Sequence, residues 1–121
     1  MAFFIYQGRQ IYFEESGSGE RLILLHGNTA SSQLFDGVIS YYEKDYRVVR
    51  IDFLGHGKSE RLEKLATDLW YDEAIQVIEL IESQGYGKVH LLGTSGGALV
   101  ALNIALERPA LVQSVIADSF E

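Results

Sequence analysis

A serine flanked by glycines, placed between two apolar segments, constrains the fold of this chain more than any other feature. The apolar run Val89 to Leu92 leads into Gly93-Thr94-Ser95-Gly96-Gly97, and the apolar segment Ala98 to Leu106 follows. This pattern predicts a buried strand, a sharp turn at Ser95 and a buried helix. Such a turn strains the backbone of its central residue, and positions two residues away on either side have room only for glycine. The turn would hold Ser95 Oγ above the sheet, within reach of a base and a substrate carbonyl.

The rest of the chain alternates between strand-like and helix-like patterns. Aromatic and β-branched residues predict strands, and apolar residues at helical spacing predict helices. Pro109 is expected to stop the last helix. The order predicts an α/β fold with a mostly parallel sheet and an N-terminal antiparallel hairpin. The other predicted elements are a hairpin of Phe3–Tyr6 and Ile11–Phe13, a turn at 16–19, strands Leu22–Leu25, Arg47–Ile51 and Val112–Ala117, a helix capped by Ser32, and a helix from about Thr67 to Gln84.

Composition and charge exclude several classes of function. The 121 residues suffice for one domain, and the net charge of −7 with only 10 scattered basic residues argues against nucleic-acid binding. The absence of cysteine excludes disulfides, thiolate catalysis and cysteine metal sites. No apolar run approaches the roughly 20 residues of a membrane span, and the N-terminus does not resemble a signal peptide. We therefore expect a cytoplasmic protein without nucleic-acid or membrane partners.

Three motifs occur in an order typical of one family. They are His26-Gly27-Asn28 after the first buried strand, Asp52-x-x-Gly55-His56-Gly57-x-Ser59 after the next, and the glycine-flanked Ser95. With these motifs the whole chain resembles the α/β-hydrolase fold family. The resemblance implies a sheet of about eight strands in the order 1-2-4-3-5-6-7-8, with helices on both faces. Residues 1–121 would supply six of these strands, as the N-terminal part of a single domain.

The resemblance also implies a role for each motif residue. Ser95 would be the nucleophile of a nucleophile elbow, and the backbone N–H groups of Asn28 and Gly96 would form the oxyanion hole. Each such donor can contribute roughly 3–4 kcal/mol to transition-state stabilisation. Gly96 departs from the bulkier residue that many members carry there, which leaves either a looser oxyanion loop or a wider pocket. Support of the elbow and loop would come from His26, Gly27, Gly93 and Gly97. No cofactor or metal is implied.

Other polar and aromatic residues have structural interpretations. His26 and His56 are expected to organise their loops through hydrogen bonds rather than transfer protons. His90 lies in the strand before Ser95, where it is expected to pack. Asp52 is expected to hold the turn that follows its strand, and Trp70 to pack in the core face of its helix.

The sequence lacks a base for Ser95. Serine is a poor nucleophile at neutral pH unless a base takes its proton. The family order is serine, acid, histidine, and no histidine follows His90. Asp118 follows the last strand, where a minority of the family place the acid, although it could simply end that strand. We expect a C-terminal segment or second chain to supply the base and to cover the apolar edge of the last strand.

These features favour a serine esterase-like or lipase-like hydrolase. It would act on small carboxylic esters, thioesters or lactones through an acyl-enzyme at Ser95. An acyltransferase with the same chemistry and a non-catalytic ligand-binding protein on the same fold remain alternatives. Serine rather than aspartate at the elbow argues against haloalkane dehalogenase and epoxide hydrolase chemistry. A nucleotide-binding domain is less favoured, because no G-x-G-x-x-G or Walker lysine is present.

Overall fold

The fold is a single six-stranded sheet with helices on both faces. The computed structural model describes residues 2–26, 35, 37, 39–59 and 69–118. The strands are β1 (Ala2–Tyr6), β2 (Arg9–Gly17), β3 (Glu20–Leu25), β4 (Tyr46–Ile51), β5 (Val89–Thr94) and β6 (Val112–Asp118). The helices are α1 (Ile39–Tyr42), α2 (Leu69–Gln84) and α3 (Gly96–Glu107), and a 3₁₀ turn (Pro109–Leu111) precedes β6.

The strand order is β1-β2-β4-β3-β5-β6. Strands β3, β4, β5 and β6 pair in parallel, whereas β1 and β2 are antiparallel to their neighbours. This is the order expected for the first six strands, and it confirms the predicted α/β class. Because parallel strands end at the same edge of the sheet, the C-terminal ends of β3, β4 and β5 lie together there.

The N-terminal hairpin is longer than the sequence predicts. Its turn consists of Gln7 and Gly8 alone, both at positive φ (49° and 77°), as a two-residue hairpin turn of type I′ requires. Strand β2 continues past Phe13 as far as Gly17 and pairs with β4. The predicted turn at 16–19 was therefore wrong for its first two residues.

Ion pairs explain why the sequence pattern did not predict the end of β2. Glu14 accepts a hydrogen bond from Arg50 at 3.1 Å, and Glu15 accepts one from Arg47 at 2.9 Å. These ion pairs join β2 to β4 across the ladder. This part of β2 therefore lacks the alternation of apolar residues that would have predicted a strand.

The core has two layers, one on each face of the sheet. The larger layer lies under α2 and α3 and includes Ile23, Leu25 and Leu91, while the smaller one includes Leu22, Leu24 and Val48 with Phe35. The predicted cap Ser32 lies outside the described residues, as do most of the residues between it and α1. No helix in the described ranges is long and apolar enough to cross a membrane.

Strand β6 lies at the edge of the sheet. It pairs with β5, and no described strand pairs with its other side. The side chain of Ile116 is 55% exposed there. Within the described ranges, the apolar edge expected from the sequence is present.

Candidate active site

Ser95 lies on a sharp turn between β5 and α3. Strand β5 ends at Thr94 and α3 begins at Gly96, so Ser95 alone connects them. Its backbone angles are φ 56° and ψ −124°, which L-residues rarely adopt. The predicted strained turn is therefore present. A non-glycine residue held in such a conformation stores on the order of 1–3 kcal/mol.

The glycines on either side of Ser95 are required by close backbone contacts. A Cβ at Gly93 would lie 2.1 Å from the carbonyl oxygen of Gly97. A Cβ at Gly97 would lie 2.1 Å from the carbonyl oxygen of Leu25 and 3.0 Å from that of His26. The turn thus closes tightly on itself and on the end of β3.

The first turn of α3 adds backbone donors beside Ser95. Ala98 N–H donates to the Ser95 carbonyl at 3.0 Å, and the Ser95 side chain does not cap the helix. The first N–H groups of a helix have no acceptor within it, and the helix dipole favours negative charge there. Gly96 supplies one of these groups. Its predicted oxyanion partner, Asn28, lies outside the described residues, as does Gly27.

His26 joins the end of β3 to the turn after β4. Its ring is fully buried, and its Nε2 accepts a hydrogen bond from Phe53 N–H at 3.1 Å. The lone pair of Nε2 is therefore engaged, and the proton of a neutral ring lies on Nδ1. This is the hydrogen bonding of a residue that organises a loop.

The motif from Asp52 to Ser59 folds into a closed turn. The Asp52 carboxylate accepts the Lys58 N–H at 3.0 Å, and it packs where a Cβ of Gly57 would otherwise lie. The Ser59 hydroxyl donates to the Asp52 carbonyl and accepts the Tyr12 N–H at 2.8 Å. The motif thereby joins the turn to β2.

The remaining histidines also have polar partners. His56 Nδ1 lies 3.0 Å from the Leu54 carbonyl, within the same turn. His90 packs edge-on against the Tyr46 ring, with the ring centroids 5.5 Å apart. Its ring also bonds Ser114 Oγ at 2.6 Å and Glu20 Oε1 at 2.7 Å. Both partners lie on neighbouring strands, so His90 forms a polar bridge across the sheet.

Helix α2 contributes polar residues that the sequence pattern did not reveal. Gln76 Oε1 accepts the buried Leu54 N–H at 3.1 Å, and Gln76 Nε2 donates to Asp72 at 2.9 Å. Asp72 also accepts the Tyr6 hydroxyl at 2.9 Å. This series of hydrogen bonds connects β1 through α2 to the turn after β4.

One turn before Gln76, Glu73 is 1% exposed, and burial together with the neighbouring Asp72 raises its pKa to about 8. Within the described ranges neither carboxylate oxygen has a hydrogen-bond partner.

Asp118 lies at the same edge of the sheet as Ser95. In the parallel ladder of β5 and β6, Asp118 is the register partner of Thr94, which directly precedes Ser95. Its backbone is thus placed beside the elbow, at the end of β6. No cluster of side chains in the described ranges has the composition of a metal site.

Residues 20–120 match the profile of the alpha/beta hydrolase fold family. The chain belongs to this family. It is 34% identical over 106 residues to an (E)-2-((N-methylformamido)methylene)succinate hydrolase of Acinetobacter baylyi, a match that covers 87% of this chain and 39% of that protein. It is also 32% identical over 106 residues to a pimeloyl-[acyl-carrier protein] methyl ester esterase of Nitrosomonas europaea, covering 88% of this chain and 39% of that protein. The chain thus spans about 39% of the length of both relatives.

Solved structures support the same fold. A hydrolase from Pseudomonas aeruginosa PA01 superposes with a TM-score of 0.88, covering 94% of this chain and 43% of that one, at 23% identity. Such a likeness establishes the architecture of this α/β hydrolase.

Proposed function

We propose that this α/β hydrolase is a serine hydrolase of small ester-like substrates and that Ser95 is its nucleophile. The observation that carries the proposal is the backbone of Ser95, at φ 56° and ψ −124° between β5 and α3. Strain of this kind persists only where the surrounding structure enforces it, and it is concentrated at functional sites. Ligand-binding sites can also hold strained residues, but a serine placed beside the first N–H groups of a helix is the arrangement that nucleophilic attack on a carbonyl requires. The conformation and position of Ser95 therefore favour catalysis over ligand binding alone.

The proposed reaction is acyl transfer to Ser95 followed by hydrolysis. Ser95 Oγ attacks the substrate carbonyl while a base accepts its proton, and the C–O or C–S bond to the leaving group then breaks. Water cleaves the resulting acyl-enzyme. The N–H of Gly96 would stabilise the oxyanion at the N-terminus of α3, with Asn28 as the second donor. A carboxylic ester, thioester or lactone meets these requirements, and one relative is named as a methyl ester esterase.

The proposed base and acid require more of the protein than the described site contains. All three histidines of the chain make structural hydrogen bonds. We therefore assign the base to a C-terminal segment or second chain that completes the domain. Asp118, beside Thr94 in the ladder, is the position within this chain that could provide the acid.

Trapping the acyl-enzyme tests the proposal. The protein, with the segment that completes it, is incubated with a short p-nitrophenyl ester and quenched in acid, and the added acyl mass is located by peptide mass spectrometry. We expect the mass on the Ser95 peptide and none in Ser95→Ala. Acyl mass on another residue, or unchanged hydrolysis by Ser95→Ala, would overturn the assignment.

A further inference from the structure

The ring of Trp70 occupies the space that a side chain at position 96 would fill. A Cβ at Gly96 would lie 2.5 Å from Cη2 of Trp70, 2.6 Å from Cζ3 and 3.3 Å from Cζ2. Gly96 is a helical residue without positive φ, where alanine is ordinarily the better residue. The indole, and not the backbone conformation, therefore keeps position 96 free of a side chain.

Trp70 packs against the core without being fully buried. It is the second residue of α2, and it packs against the larger core layer. The ring is nevertheless only half-buried. Because its benzo edge contacts Gly96, which directly follows Ser95, the ring lies beside the elbow.

We propose that Trp70 determines the acyl-group specificity of the Ser95 site and positions the Gly96 N–H. Its ring replaces the side chain absent at Gly96 and forms an apolar wall beside the acyl group on Ser95 Oγ. Such a wall restricts the site to short acyl groups. The inference rests on the proposed function, since an acyl group must reach Ser95. It also assigns a role to a residue that the sequence pattern identified only as packing.

The first test compares acyl-chain preference. For Trp70→Leu, we expect the ratio of kcat/KM for p-nitrophenyl hexanoate to that for p-nitrophenyl acetate to rise about tenfold, the usual effect of methylene-sized room in an apolar pocket. Tyr71→Leu is the matched control, because it removes a 45% exposed aromatic from the same helical turn. An unchanged ratio in Trp70→Leu, or an equal rise in the control, would overturn the specificity role.

The second test measures coupling between the two positions. Gly96→Ala should lower kcat at least about tenfold while Trp70 is present, because the new methyl group displaces either the ring or the first turn of α3. In the double variant Gly96→Ala with Trp70→Leu, most of that loss should be recovered. An equal loss in both backgrounds would refute the positioning role.

Fluorescence separates this inference from the proposed function. Trp70 is the only tryptophan within residues 1–121, so in this segment its emission can be followed alone and without turnover. Gly96→Ala should shift the emission and increase acrylamide quenching, whereas Gly37→Ala, where no atom of the described residues lies within 4 Å of an added Cβ, should not. If no ester is hydrolysed, the proposed function fails, and the emission still tests the Trp70–Gly96 contact. Unchanged emission in Gly96→Ala would show that this contact is absent.

Discussion

Gly97, two residues after Ser95, packs its Cα against the carbonyl of Leu25 at the end of β3, where a Cβ would lie 2.1 Å from the oxygen. The obstacle is backbone, which cannot move aside as a flexible side chain can. Leu25 is also the register partner of Gly93, so the strand and both glycines form one close-packed unit. The elbow therefore depends on the meeting of β3, β5 and α3, and not on the turn alone.

Alanine at either flanking glycine should disrupt this unit. We expect Gly93→Ala and Gly97→Ala each to lower the free energy of unfolding by about 2–4 kcal/mol, as overpacking against immovable atoms does. The control is Gly37→Ala, because no atom of the described residues lies within 4 Å of a Cβ there. It should change stability by less than about 0.5 kcal/mol. Urea unfolding measures all three, and equal stability of the three variants would contradict the packing.

Removing the Cβ of Ser95 should release the strain of the turn. Ser95→Gly is expected to raise the free energy of unfolding by about 1 kcal/mol, net of the greater freedom of glycine in the unfolded chain. Ser95→Ala retains a Cβ at φ 56° and should stay within about 0.5 kcal/mol of the native protein. Equal stabilities of the alanine and glycine variants in urea would show that the turn stores no such strain.

The elbow was predictable because its determinants are local. Gly93, Ser95 and Gly97 lie within five residues, and the apolar runs on either side identify the strand and the helix without distant information. The strand order followed from the family resemblance and is confirmed. The polar end of β2 was missed because its pairing partners, Arg47 and Arg50, are 32 and 36 residues away along the chain.

Contacts between distant segments could not be predicted. Trp70 has helical spacing that is typical of packing, and nothing in the sequence indicates that its ring replaces a side chain at Gly96. Gln76 and Glu73 are polar, so a periodicity argument places them on the solvent side of α2. Both are nevertheless 1% exposed, and the turn after β4 covers Gln76, whose side chain bonds the Leu54 N–H.

Loss of the Gln76 side chain should weaken the turn after β4. Gln76→Leu leaves the buried Leu54 N–H without its acceptor, which is expected to cost about 1–3 kcal/mol of stability. Gln84→Leu is the matched control, because Gln84 is exposed at the end of the same helix. Thermal unfolding compares the two, and an equal effect of both substitutions would contradict the role of this hydrogen bond.

Glu73 should make the protein less stable as the pH rises. Its folded pKa of about 8 exceeds its ordinary value of 4.5, so the folded state holds a proton that the unfolded state has released. Below about pH 4.5 Glu73 is protonated in both the folded and the unfolded state, so its contribution to stability does not change with pH. Between about pH 4.5 and pH 8 that contribution is lost progressively. The expected slope from Glu73 is about −1.4 kcal/mol per pH unit.

Glu73→Gln isolates this contribution, because the amide has nearly the same shape and does not titrate. We expect the variant to lack the decline between pH 5 and 8, and to exceed the native protein in stability at pH 8. Glu107→Gln, at the exposed end of α3, is the control and should follow the native curve. Parallel curves for the native protein and Glu73→Gln would show that Glu73 is already ionised at neutral pH.

Residues 1–121 alone should hydrolyse esters only at a residual rate. His26 and His56 make structural hydrogen bonds around the turn after β4, and His90 bridges to Ser114 and Glu20. Proteases that lack their triad retain about 10³–10⁴-fold acceleration over water from the oxyanion hole and binding, and we expect no more than this here. Hydrolysis of a short activated ester is measured beside Ser95→Ala, on protein shown to be monomeric, because the apolar edge at β6 favours aggregation. Turnover that appears when the C-terminal segment is added would support an external base. Full turnover by residues 1–121, abolished in Ser95→Ala, would instead assign the base to His26 or His56.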